Sequence, residues 1–265
     1  MKTLLFLGDT HIGSTVALCK PITELDDGGT YHASPLQRSL YRGWQALQDA
    51  ITKLPSPPLL VLNGDIVETD SKDRSFQIIT RNRTTIRSMA SEVLDEVAKL
   101  CSGVYVVRGT EAHVGKSASM DDAVGDDFDA PGHTKGSHSF WWLPLIVEKV
   151  RFDIAHHAPM SGIPWNQNIS AINIAARIRF ACMERGEKPP DVVIRSHQHR
   201  WADSHDAFET RVIQLPAWTY ATEFINRTNP GAIAEIGAAF ITVDNGEYEV
   251  TKFKVQPEAT KWVKA

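Results

Sequence analysis

Cysteine is scarce in this chain. Three stand among 265 residues, Cys19, Cys101 and Cys182, and no Cys-x-x-Cys pair exists. An odd, unpaired set argues against a disulfide framework and for a reducing compartment, the cytoplasm. Long hydrophobic runs are missing too. None approaches the ~20 residues that a membrane span needs. The start, MKTLLFLGDTH, has a brief apolar run, Leu4-Leu5-Phe6-Leu7, before Asp9 arrives, too short for the core of a signal peptide. Excess positive charge is also lacking. Acidic residues outnumber basic ones 32 to 28, for a net charge of −4. A broad, non-specific grip on nucleic acid favours the opposite balance, although a local basic patch stays open. No repeat and no linker divides the chain, so residues 1–265 are expected to form one domain.

What is present is a recurring pattern. A short apolar, β-rich run ends, and polar residues follow at once. Leu4-Leu5-Phe6-Leu7 leads into Gly8-Asp9-Thr10-His11, and Leu59-Leu60-Val61-Leu62 into Asn63-Gly64-Asp65. Val104-Tyr105-Val106-Val107 leads into Arg108-Gly109-Thr110-Glu111-Ala112-His113. Phe152-Asp153-Ile154-Ala155 leads into His156-His157, and Val192-Val193-Ile194 into Arg195-Ser196-His197-Gln198-His199. Such short runs suit buried strands.

Helical stripes alternate with them. Leu36, Leu40, Trp44, Leu47 and Ile51 follow a 3.6-residue period after the start signal Ser34-Pro35. Ile86, Met89, Val93, Val97 and Leu100 repeat it before the stop Ser102-Gly103. Ile174, Ile178, Ala181 and Cys182 form a third stripe, with Ser170 as expected N-cap and Gly186 as expected C-cap. This alternation predicts an α/β fold. Near the end, residues 238–243, the turn Asp244-Asn245-Gly246 and residues 248–255 predict a β-hairpin. Residues 19–34 and the acidic stretch 114–138 read as long loops, the second a lid-like one.

In open α/β sheets, ligands bind at the carboxyl ends of strands. Asp9, His11, Asp65, Glu111, His113, His156, His197 and His199 all follow predicted strand ends, so the sheet edge should gather them. Aspartate and histidine without paired cysteine suit Mn, Fe or Zn, and these residues suffice for two ions. Each segment alone is weak evidence. Asn63-Gly64-Asp65 is an ordinary turn, and His156-His157 could cap a strand. Ser196-His197-Gln198-His199 is stronger, because x-His-x-His after a strand lets two imidazoles point the same way.

In this order, the segments resemble the calcineurin-like metallophosphoesterases. That family's motifs run Asp-x-His, Gly-Asp-x-x-(Asp/Glu), Gly-Asn-His-(Asp/Glu), a lone His after a strand, and Gly-His-x-His. This chain has Gly8-Asp9-Thr10-His11, Gly64-Asp65-Ile66-Val67-Glu68, Gly109-Thr110-Glu111, His156, and Ser196-His197-Gln198-His199, where Ser196 replaces a glycine. The Gly-Thr-Glu-Ala-His form is similar to phage-associated members. The resemblance implies a four-layer α-β-β-α sandwich, with two mixed sheets flanked by helices. It implies two divalent ions, manganese foremost and iron or zinc as alternatives. Asp9, His11 and His199 would hold the first ion, His156 and His197 the second, and Asp65 would bridge them. It also implies hydrolysis of a phosphomonoester or phosphodiester by attack of a metal-bound hydroxide. His157 competes with His156, which is preferred because it follows the strand directly.

The third motif departs from the family, with Thr110 where the family has Asn and Glu111 where it has His. Three readings stay open. Glu111 ligates the second ion and His113 protonates the leaving group, which is the reading adopted here as the expectation. Or Thr110 ligates weakly and Glu111 is the acid. Or the motif is degraded and the protein is a non-catalytic binding scaffold, a role that the family also includes. Under the first reading Glu111 neutralises the centre, which would favour alkaline activity. The substrate could also be DNA or RNA. Arg74, Arg81, Arg83 and Arg87 hint at a basic face, and Trp141, Trp142, Trp165, Trp201 and Trp218 could stack on a base or serve the core.

Overall fold

The computed structural model describes residues 1–70, 76–158, 167–228 and 235–257. In chain order the elements are β1 (Lys2–Leu7), β2 (Ile22–Glu24), β3 (Thr30–His32), α1 (Pro35–Thr52), β4 (Leu59–Asn63), α2 (Arg83–Ala98), β5 (Gly103–Val107), α3 (Glu111–Val114) and α4 (Ser119–Asp127). There follow β6 (Leu143–Val147), β7 (Val150–Ile154), α5 (Gln167–Arg185), β8 (Val192–Arg195), β9 (Ala202–Asp203), β10 (Arg211–Gln214), α6 (Glu223–Thr228), β11 (Ile236–Asp244) and β12 (Glu247–Val255).

Two five-stranded mixed sheets result, one ordered β12-β11-β1-β4-β5 and the other β6-β7-β8-β10-β9. Strand alternation explains how they stack. Leu5 and Leu7 of β1 pack with Leu60, Leu62, Val104 and Val106 against Leu40, Trp44, Ile86 and Val93 of α1 and α2. The opposite face, with Leu4, Phe6, Val61 and Val107, packs on Phe152, Ile154, Val192, Ile194 and Ile213 of the second sheet. That sheet turns Val193 and Val212 toward Ala171, Ile174 and Ala175 of α5. Helices, sheet, sheet and helix thus form four layers. Strands buried on both faces lose the polar alternation of a half-exposed sheet and read as continuous apolar runs.

The helix signals hold in detail for α1, where Ser34 and Gln37 complete a capping box. At α5 they differ. The helix includes Ser170, whose hydroxyl donates to Gln214 Oε1 at 3.0 Å instead of capping. Gly186 does end it, in the left-handed region at φ 65°. The hairpin β11–β12 turns on Asn245 and Gly246, both at positive φ. The two expected loops are partly regular. Residues 19–34 contain the ribbon β2–β3, and residues 114–138 contain α4. The acidic stretch is helical because Met120 and Val124 dock into the core while its aspartates find separate partners.

Candidate metal centre

β1, β4 and β5 run parallel, so their following loops leave the same edge of the first sheet. β7, β8 and β10 do the same in the second. The five polar segments meet where these edges adjoin. Asp9 N–H donates to Gly64 O at 3.0 Å, His11 N–H to Asp65 O at 3.0 Å and Ser196 N–H to His156 O at 2.8 Å. Asp9, His11, Asp65, His197 and His199 all sit at positive φ, between 43° and 72°. Non-glycine residues rarely adopt that conformation, and strain of this kind concentrates at functional sites. Glycines let the loops touch. A Cβ on Gly109 would lie 2.2 Å from Asp65 Oδ1, and one on Gly64 would lie 2.5 Å from the His156 ring. Ser196 Oγ accepts a hydrogen bond from Asn63 Nδ2 at 2.8 Å, which ties the β4 and β8 ends together.

Three donor groups with metal-ligand spacing emerge among the described residues, and two of them carry the expected ligands. One joins Asp9, His11 and His199, and the other joins Asp65, His156 and His197. His156 Nδ1–H donates to Asn63 O at 2.8 Å, which aims Nε2 at the carboxylates. Burial opposes a charge on His156, but Asp65 and Asp9 push its pKa up to about 10, so a cation bound here would displace the Nε2 proton. That Nε2 lies 3.1 Å from Asp65 Oδ2 and 3.9 Å from Asp9 Oδ1, so the groups adjoin. His11 Nδ1 lies 3.3 Å from Glu68 Oε2, and its Nε2 faces His199 Nε2 at 3.2 Å.

Asp9 Oδ1 is buried and receives no hydrogen bond. Three imidazole nitrogens surround it, His199 Nε2 at 3.3 Å, His156 Nε2 at 3.9 Å and His11 Nε2 at 4.0 Å. A lone buried carboxylate oxygen is costly, and a cation held among these atoms would satisfy it. Divalent cations fit this all-oxygen and imidazole donor set. Burial opposes the charge on Asp9 and Asp65, yet the His199 and His156 imidazoles beside them hold both carboxyls below their ordinary range. Burial lowers the pKa of His11 and keeps it neutral, the form that ligates.

In the third motif, Glu111 stands apart from the grouped donors. Its carboxylate accepts from Ser117 N–H at 2.8 Å, on the protein surface, and joins neither donor group. Thr110 is the extended N-cap of α3, and the helix starts at Glu111. Thr110 and His113 nevertheless both face the donor groups, as their contacts with His197 and Glu68 show. Thr110 Oγ1 lies 3.2 Å from His197 Nδ1, 3.5 Å from His156 Nε2 and 3.4 Å from His157 Nε2. The hydroxyl therefore stands at the second group. With Glu111 outside, the charge-based case for alkaline activity loses its premise.

His113 completes a third set with His11 and Glu68. Its Nδ1–H donates to Glu68 Oε2 at 2.5 Å. Burial works against a charged His113, but Glu68, with help from Asp65 and Asp9, raises it to about 9. Burial likewise opposes the Glu68 carboxylate, yet hydrogen bonds from His11 and His113 bring it down to about 2. Glu68 was visible in the sequence as the last residue of Gly-Asp-x-x-Glu, without a role. Asp121 gave no signal. It is fully buried, and burial together with neighbouring Asp65 pushes it up to about 7.

The expected basic face is mostly neutralised. Arg87 pairs with Asp126 and Asp127, and Arg81 lies 3.7 Å from Asp70, while Arg74 and Trp165 fall outside the described residues. Trp218 is core and stacks edge-on against Trp44, whereas Trp141 and Trp142 are half exposed. No helix among the described residues is long and apolar enough to cross a membrane.

No protein-family model and no curated protein matches the sequence. Solved structures do match over nearly the whole chain. Vps29 of Entamoeba histolytica, complexed with zinc, is 10% identical, covers 96% of this chain and 99% of its own, and gives a TM-score of 0.44. A metallophosphoesterase from Sphaerobacter thermophilus is 12% identical over 97% of this chain and 89% of its own, with a TM-score of 0.43. A dimetal phosphatase from Danio rerio is 10% identical over 97% and 99%, with a TM-score of 0.44. At such identities the likeness is one of fold.

Proposed function

We propose that the protein is a metal-dependent phosphoesterase that hydrolyses a phosphomonoester or phosphodiester at a pair of divalent cations. The observation that carries this is the buried, undonated Asp9 Oδ1 facing three imidazole nitrogens beside a second Asp/His group. Asp9, His11 and His199 would hold one ion, Asp65, His156 and His197 the other, with Asp65 between them. The Thr110 hydroxyl supplies a neutral oxygen at the second. Bound cations neutralise phosphate oxygens and acidify a water nucleophile.

The chain's own residues supply the rest. The His156 ring is oriented by Asn63 O, with Nε2 toward the carboxylates, and His11 is oriented by Glu68. His113, held protonated by Glu68, gives its proton to the leaving oxygen. Its side chain is about one-third exposed, so a substrate can reach it. The ions also let an acidic protein bind an anionic substrate. Manganese suits this donor set, as do iron and zinc.

A scaffold role would need no partly exposed, protonated acid beside the donor groups, so the enzyme reading is preferred. The test is hydrolysis of generic phosphomonoester, phosphodiester and single-stranded DNA substrates with added Mn. Turnover of any of these that Asp65→Ala abolishes supports the reading. No turnover of any substrate overturns it.

A further inference from the structure

We infer that Asp121 is a positioning residue that sets the spacing between the loops carrying Asp65 and Thr110, coupling helix α4 to the cation site. The inference rests on the phosphoesterase reading and deepens it. Asp121 Oδ2 accepts from Gly109 N–H at 2.7 Å, and Oδ1 accepts from Ile66 N–H at 3.2 Å. Ile66 follows Asp65, and Gly109 precedes Thr110. One carboxylate therefore spans both loops from beneath, one oxygen to each.

The location explains the need. The β4–β5 ladder ends at the pair Asn63 and Val107. Beyond it, the chains hold each other through Thr110 N–H, which donates to Asp65 Oδ1 at 2.5 Å. Without Asp121, two buried amides at the root of the site would lack acceptors, and Asp65 and Thr110 could drift apart.

Asp121 is not needed to hold α4 in place. Val124 and Met120 anchor the helix in the core. Asp122 accepts from Arg108, Ser137, Ser139 and the His138 amide, and Arg87 pairs with Asp126 and Asp127. Burying a carboxylate beside Asp65 carries a large desolvation cost, which an apolar helix contact would avoid. The carboxylate gives each amide its own acceptor oxygen.

The test is Asp121→Asn, which keeps the shape but sets an N–H₂ against one of the two amide donors. Mn affinity is measured by calorimetry on the full-length protein without substrate. The control is Val124→Ala, buried on the same helix but outside the site. Asp121→Asn should weaken the second Mn by roughly 10- to 100-fold, as loss of an outer partner does. Val124→Ala should bind Mn as the wild type does, even if it melts earlier. Equal affinities in all three proteins, or equal losses in both variants, overturn the inference. If Asp121→Asn does not fold, Asp121→Ser carries the same comparison, and failure of both makes Asp121 a folding residue and overturns it too. A wild type that binds no pair of ions defeats the phosphoesterase reading itself, whatever the variants do.

Discussion

His113 Nδ1–H and Glu68 Oε2 meet at 2.5 Å, and the same oxygen lies 3.3 Å from His11 Nδ1. One carboxylate thus faces a candidate ligand on one side and a candidate acid on the other. Neutral His11 and protonated His113 stand edge to face, 4.6 Å apart. The two imidazoles take different charge states because His11 is the more deeply buried and His113 the more strongly bonded to Glu68.

If His113 donates the proton, its removal should matter most for poor leaving groups. His113→Ala should slow release of an alcohol by ~10²–10⁴-fold, the usual scale of general acid catalysis. Nitrophenolate leaves without a proton and should be slowed little. Equal losses on both substrate types would remove the acid role.

Glu68 raises the His113 pKa, and only the protonated form can act. Activity on alcohol esters should fall as pH rises through that pKa. Glu68→Gln deletes the charge and should move this alkaline limb to lower pH. Gln still offers His11 an acceptor, so Mn content should stay close to wild type. A limb that does not move would separate Glu68 from the acid.

Glu111→Gln should change neither Mn content nor turnover, because its carboxylate serves the Ser117 amide at the surface. Thr110→Val should weaken the second ion, since it replaces the inward hydroxyl by a methyl of similar size. The reverse ranking would restore Glu111 as ligand.

The alternating strands and helices were legible in the sequence because each strand buried on both faces reads as an apolar run, and Trp44 and Leu47 sit at helical spacing after a capping signal, while the four-layer stacking came from the family resemblance. The candidate ligands were legible because each follows such a run. What stayed hidden depends on direction. Glu111 and Thr110 are neighbours in sequence, and only the start of α3 decides which faces inward. Asp121 lay among aspartates that read as a loop, and nothing local separates it from Asp122, which clamps a different segment.

Gly109→Ala should disturb the site more than the fold. Its Cβ would strike Asp65 N and Oδ1 at 2.2 Å, at the carboxylate proposed to bridge the ions. Overpacking of this kind costs about 1–3 kcal/mol, within what a domain of this size tolerates. The variant should fold with a lowered melting temperature and lose bound Mn. Full Mn occupancy would show that the loops have slack there.

The most direct measurement is anomalous scattering from crystals grown with Mn. Two peaks are predicted, one among Asp9, His11 and His199 and the other among Asp65, His156 and His197, with Asp65 in contact with both and Glu111 with neither. No peak, a single peak, or a peak confined to the Glu68 and His113 pair would contradict the paired-cation centre.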